Sequence, residues 1–139
     1  MRRVYCVTMP NGIQYGIPAG YIAHLYAKFY EETGEDYSDN YKTMLRWFDT
    51  NNFEFEDWAK NNLDWTDVKD YAFVLPPEKI LTCDYEDGWV NGDAKLLHEI
   101  PPSAVHAYEQ VEKYMAAANI QIEEVGGQAV LGRQGSLTT

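Results

Sequence analysis

The feature that most constrains the fold is a strand–turn–strand–helix pattern at the start of the chain. Residues 3–8 (Arg3-Val4-Tyr5-Cys6-Val7-Thr8) and 13–17 (Ile13-Gln14-Tyr15-Gly16-Ile17) are β-prone runs. Pro10-Asn11-Gly12 between them carries an Asn-Gly pair, the strongest short-range hairpin signal. Pro18 ends the second run and suits the first turn of a helix. From Ala19 to Thr33, Ile22, Leu25, Tyr26, Phe29 and Tyr30 recur at three- and four-residue spacing, giving one apolar face, and Gly34 suits a C-terminal cap. The chain therefore begins as a β-hairpin followed directly by an amphipathic helix.

Further along, residues 37–49 predict a second helix, with Ser38 or Asp39 as its cap and Tyr41, Met44, Leu45 and Phe48 as its buried stripe. A loop at Asn51-Asn52 precedes two helical turns, Phe55 to Asn61 and Thr66 to Ala72. Residues 73–75 and 80–84 read as strands, Val90-Asn91-Gly92-Asp93 as a turn, and 103–118 as a helix with Val105, Tyr108, Val111, Tyr114 and Met115 on one face. Ile120-Gln121-Ile122 alternates like a strand. The expected fold is α+β. A small antiparallel sheet is built from the N-terminal hairpin with strands near 73–75, 80–84 and 120–125, and two main helices, 19–33 and 103–118, cover one face. Residues 1–125 form a single domain, and 126–139 a Gly-rich tail expected to be flexible unless a partner or a second copy holds it.

Charge is divided unevenly along the 139 residues, whose formal net charge is −11. Residues 1–30 carry Arg2, Arg3 and Lys28 and no acid, +3; residues 31–99 carry 18 acids against 6 bases, −12; residues 100–139 carry 4 acids against 2 bases, −2. A surface this negative repels nucleic acid and anionic membrane and attracts basic protein surfaces. An aromatic content of 14% and a hydrophobic content of 45% are too high for a disordered acidic chain. No apolar run is long enough to span a membrane, and the polar break at Pro10-Asn11-Gly12 and Gln14 argues against a signal peptide. Cys6 and Cys83 lie far apart, outside any metal or redox spacing, and read as reduced thiols of a cytosolic protein.

Chemistry-bearing patterns are sparse. Asp84, Glu86, Asp87 and Asp93 suggest a calcium loop, but the register fails, because the fifth position from Asp84 is Gly88 and the sixth Trp89. His24, His98 and His106 have no nucleophile in a known arrangement, and no glycine-rich stretch carries the residues of a phosphate loop. No cofactor, no metal and no catalytic residue is expected.

An Asp-Trp pair occurs twice, at Asp57-Trp58 and Asp64-Trp65. Seven residues return a helix to the same face, so the two rings are expected to point one way, with at least one largely buried. Each aspartate can cap the turn after it. A tryptophan beside carboxylates can alternatively hold an Arg or Lys of a partner. The pattern from Asp57-Trp58-Ala59 through Asn61-Asn62, Trp65 and Asp67-Val68 to Glu86-Asp87-Gly88-Trp89-Val90-Asn91-Gly92, with the opening Val7-Thr8-Met9-Pro10-Asn11-Gly12 and Ile17-Pro18, resembles a group of small, acidic, uncharacterised tailed-phage proteins. The likeness runs over residues 4–95 and carries no functional residue with it. It implies a phage gene product acting in the cytoplasm of an infected bacterium.

The function expected from the charge is an acidic binding protein that inhibits or redirects a host or defence nucleic-acid-handling protein, with nucleic-acid mimicry as the route. The alternative is a virion structural or assembly protein whose tail adds a strand to a neighbour. The partner is a basic protein surface, neither nucleic acid nor membrane. Glu31, Glu32, Glu35, Asp36 and Asp39 form the densest row of charge, and Asp57, Trp58 and Asp64 are the further partner-binding candidates.

Overall fold

A computed structural model describes residues 2–75 and 83–123. Strands β1 (Val4–Thr8) and β2 (Gln14–Pro18) form the hairpin, and β2 runs without a break into α1 (Ala19–Glu31). Then come α2 (Tyr37–Thr50), α3 (Asn52–Asn62), the short α4 (Trp65–Val68) with a 3-10 turn Lys69–Tyr71, and β3 (Phe73–Leu75). After residues 76–82, α5 (Tyr85–Asn91), β4 (Ala94–Leu97), a 3-10 turn Pro102–Ala104 and α6 (Val105–Ala117) complete the described chain. The fold is α+β.

The sheet is antiparallel throughout, in the order β3-β2-β1-β4. The hairpin loop differs from a two-residue Asn-Gly turn. Met9 N–H donates to the Ile13 carbonyl (2.9 Å) and Gly12 N–H to the Met9 carbonyl (2.8 Å), while Gly12 alone takes positive φ, +84°. This is a three-residue loop, a turn followed by a left-handed glycine, with the Asn11 carboxamide accepting from Ile13 N–H (2.9 Å).

Val4, Tyr5, Cys6 and Val7 are all buried, so β1 is covered on both faces. Cross-strand partners share a face: Tyr5 and Ile17, Val7 and Tyr15 on one, Cys6, Gly16 and Phe73 on the other. On the first, Tyr5 meets Phe55 of α3 and Trp89 of α5, with ring centroids 5.8 and 5.3 Å apart. On the second, Phe73 meets Tyr108 of α6 at 5.7 Å. Cover thus comes from both sides, where the sequence predicted one covered face.

Three further expectations are corrected. Residues 83 and 84 form no strand, since Asp84 is the N-cap of α5 and accepts from Asp87 N–H at 3.0 Å; residues 80–82 lie outside the described residues. The expected turn at 90–93 is the end of that helix, which buries Trp89 completely. The fourth strand is β4 instead, entered through Gly92, where a Cβ would fall 2.3 Å from the Thr8 carbonyl oxygen and 2.4 Å from that of Gly88. Residues 120–123 also stay out of the sheet. They pass close to the start of the chain, where the nearly buried carboxylate of Glu123 holds Arg3. The tail 126–139 lies outside the described residues. In α6, Tyr108, Val111 and Met115 face inward as predicted, while Tyr114 turns outward.

Candidate functional site

Helix α1 ends in a Schellman arrangement. Glu35 N–H donates to the Tyr30 carbonyl (3.2 Å), Gly34 N–H to that of Glu31 (3.0 Å), and Gly34 holds φ +94° as the cap predicted from sequence. Two residues later the chain re-enters a helix, and Asp36, not Ser38 or Asp39, is the N-cap of α2, accepting from Asp39 N–H at 2.8 Å. Glu31, Glu32, Glu35, Asp36 and Asp39 are all exposed. Their duties differ: Glu31 pairs with Lys28 (2.9 Å), Glu35 accepts from the Asn40 amide (3.0 Å), and Asp36 caps. Burial, Tyr30, Glu35 and Glu54 together raise the pKa of the Tyr26 hydroxyl, so the acids of the α1–α2 turn and of the start of α3 act on one ring. On α3, Glu54 and Asp57 are exposed as well.

The Asp-Trp segment is divided by Leu63 and Asp64, both in extended backbone (ψ 148° and 163°), so the seven-residue return of a single helix does not apply. Trp58 is buried, 7% exposed, against Tyr26 and Phe29 of α1, with centroids at 5.0 and 6.1 Å. Trp65 stacks on Tyr85 (5.2 Å) and meets Tyr15 edge-on. The two rings serve different parts of the core, and a buried Trp58 is not available to a partner. Asp64 sits at the N-cap of α4, where its N–H donates to the Asp67 carboxylate (2.8 Å). Asp57, expected as a cap, lies inside α3 and accepts from the Asn61 amide (2.9 Å).

Asp57 also lines a groove that the sequence reading missed. Helix α3 begins at Asn52, with Asn51 alone as the break from α2. This start sets Phe55, Trp58 and Ala59 inward and Phe53, Asp57 and Asn61 on a shared outward stripe at four-residue spacing. Phe53 is 73% exposed, and Val90, at the end of α5, is 42% exposed. These residues and Asn91 bound a groove of about 350 Å³. Its cation, Lys60, is paired with Glu56 at 2.8 Å. Asn91, on the α5 side of the groove, donates to Asp87, which lies outside the lining, at 2.9 Å, as Asn61 does to Asp57 within it. The stripe was readable only with the helix start in the right place.

Where ionisable groups are buried, they hold the fold. Arg3 binds Asp49 of α2 through Nε and Nη2, both 2.8 Å, and also binds Glu123. Its hydrogen bonds hold the Asp49 carboxyl below the usual carboxylate range. His98 reaches Asp49 Oδ1 at 3.2 Å. On α6, burial pushes Glu112 up to about 7, with Arg2 opposing, and its Oε2 has no hydrogen-bond partner among the described residues. His24 Nδ1 meets the Tyr37 hydroxyl at 2.7 Å, and burial lowers its pKa, which makes it a packed residue. Glu86, in the acidic segment whose register fails for calcium, accepts from Trp65 N–H at 2.9 Å. Among the described residues no group of three or more His, Cys, Asp or Glu is placed to hold a metal ion. Cys6 is buried and Cys83 half-buried, and both are free. No described helix is long and apolar enough to cross a membrane.

Comparison with family models, with curated proteins and with solved structures finds no match to this chain.

Proposed function

We propose that this chain is a phage-encoded acidic binding protein, without catalytic activity, that engages the basic nucleic-acid-binding surface of a host or defence protein in the infected bacterial cytoplasm. One observation carries the reading. Lys28 and Lys60 are the only cations on α1 and α3, and each is engaged by a carboxylate, whereas the acids from Glu31 to Asp39 stand exposed on a firmly capped turn. Fixed negative charge on a rigid turn attracts a surface built for phosphates and speeds encounter with it.

The test is capture of nucleic-acid-binding proteins from lysate of the host bacterium, with and without duplex DNA as competitor. Asp36 stays unchanged, because it caps α2. Reversing Glu31, Glu32 and Glu35 to Lys should leave the circular dichroism spectrum as it is, abolish capture and remove the effect of DNA. Wild-type capture should weaken as salt rises, since exposed charges are screened beyond about 8 Å at physiological ionic strength. Equal capture by the reversed variant, or capture indifferent to salt, refutes the reading. Presence of the protein in purified particles would favour a virion component instead.

A further inference from the structure

We infer that the α3–α5 groove is an arginine-accepting site, which takes a guanidinium and its apolar stem from a basic partner. The inference rests on the proposed basic partner and names the side chain it would contribute. Three features fit an arginine. Phe53, 73% exposed, and Val90 give the groove an apolar lining for the methylene stem, and the Phe53 ring offers a face on which a guanidinium stacks. Asp57 lies one helical turn from Phe53 and has no cation as partner among the described residues, because Lys60 is bound to Glu56. The Asn61 amide holds the Asp57 carboxylate in place, donating to Oδ1 at 2.9 Å. Across the groove Asn91 donates its own amide to Asp87, so the amide oxygens of Asn61 and Asn91 remain as neutral acceptors on facing walls.

The charge left over is that of one carboxylate, flanked by amide acceptors. A planar cation with five donors satisfies such a set, whereas a lysine ammonium, a compact point charge with three donors, engages fewer of them and gains less from the ring. The volume, about 350 Å³, is at the small end of the roughly 300–1,000 Å³ that ligand pockets span. It suits one or two side chains of a larger partner better than a complete ligand. The role expected of Trp58 falls to Phe53, four residues from Asp57 on the outward side of the same helix.

The experiment uses oligo-arginine and oligo-lysine peptides of equal length as probes of the full chain at low salt, with affinity read by anisotropy and location by NMR. The arginine peptide should bind about fivefold more tightly. It should shift the side-chain amide signals of Asn61 and Asn91. Phe53→Ala and Asp57→Asn, both at exposed positions, should each bring the arginine peptide down to the affinity of the lysine peptide. Reversal of Glu31, Glu32 and Glu35 to Lys should weaken both peptides alike and leave their ratio unchanged. Equal affinity of the two peptides, with Asn61 and Asn91 unmoved, overturns the groove and leaves the acidic-surface reading standing. Failure of both peptides to bind overturns both. Self-association of the chain that Phe53→Ala abolishes would assign the groove to a second copy and overturn the arginine site.

Discussion

Replacing Trp89 by Phe tests how the wall of the groove is held. Trp89 is completely buried, and its indole N–H donates to the carbonyls of Leu63 (3.0 Å) and Ala59 (3.3 Å) at the end of α3. Ala59 keeps a partner without it, since its carbonyl also accepts from Leu63 N–H at 3.2 Å. The Leu63 carbonyl loses its side-chain donor, and a buried acceptor left without a partner costs about 1–3 kcal/mol. Shrinking the indole to a phenyl leaves a void between Tyr5 and Trp65, worth roughly 1–2 kcal/mol more. Trp89→Phe should therefore destabilise by about 3 kcal/mol, within a range of about 2–5. At a urea slope of about 1.5 kcal/mol/M, the midpoint moves down by about 2 M.

The control is Trp58→Phe. Trp58 Nε1 is buried and has no hydrogen-bond partner among the described residues. The same loss of volume there removes an unsatisfied donor instead of orphaning an acceptor, so Trp58→Phe should cost about 1–3 kcal/mol less than Trp89→Phe. Both variants are followed by far-ultraviolet circular dichroism, which does not depend on tryptophan emission. Equal destabilisation of the two, or a Trp89→Phe midpoint within about 0.3 M of wild type, would refute the claim that the indole hydrogen bonds join α5 to α3.

Two further outcomes follow from the carboxylates. Asp36→Ala should destabilise by about 1 kcal/mol in urea titration through loss of the α2 cap, whereas Glu32→Ala should stay within about 0.5 kcal/mol of wild type. Glu112 has an ordinary pKa of 4.5 that burial raises to about 7 in the fold. Between those values the folded chain keeps a proton that the unfolded chain releases, so its contribution falls as pH rises through the window and is lost above about 7. Urea midpoints followed across that window should fall more with pH in the wild type than in Glu112→Gln, with Glu123, raised in the same direction, adding to the fall in both and His24, lowered by burial, opposing it in both.

The hairpin, the course of α1 and most of the buried stripes of α1, α2 and α6 were legible because each rests on local signals, Asn11-Gly12, Pro18, Gly34 and apolar residues at helical spacing, although Phe29 of α1 and Tyr114 of α6, expected on those stripes, are exposed. What could not be read depended on contacts distant in sequence. Trp89 lies in a seven-residue helix whose Gly88 and Asn91, with Gly92 after them, resemble a turn, and the pocket formed by Tyr5, Trp65 and the end of α3 joins the Asp84 cap in holding it as a helix. Alternation at Ile120 and Ile122 suggested a strand, yet Arg3, more than a hundred residues earlier, draws Glu123 away from any ladder. At the site the exposure of Glu31, Glu32 and Glu35 was legible from charge density alone. The groove was not, because placing the start of α3 at Phe55 hides Phe53 in a loop.

The same distinction decides how the acidic charge can be tested. A carboxylate that caps a helix or holds an arginine still contributes its full negative charge to the surrounding field, yet it cannot be reversed without loosening the fold. Asp36 and Asp84 cap, Asp67 and Glu86 accept backbone N–H groups around Trp65, and Asp49 and Glu123 hold Arg3. Glu31, Glu32 and Glu35 stand outside these duties, since Glu31 meets only the exposed Lys28, Glu35 meets Asn40, and Glu32 has no partner among the described residues. Exposed pairs of that kind contribute about 0–1 kcal/mol. Charge reversal confined to these three residues therefore changes the field while leaving the scaffold in place. Asp57 also meets the condition, and it is the one beside Phe53. Loss of binding on changing these four can then be assigned to recognition, whereas loss at Asp36 or Asp84 would report a loosened helix.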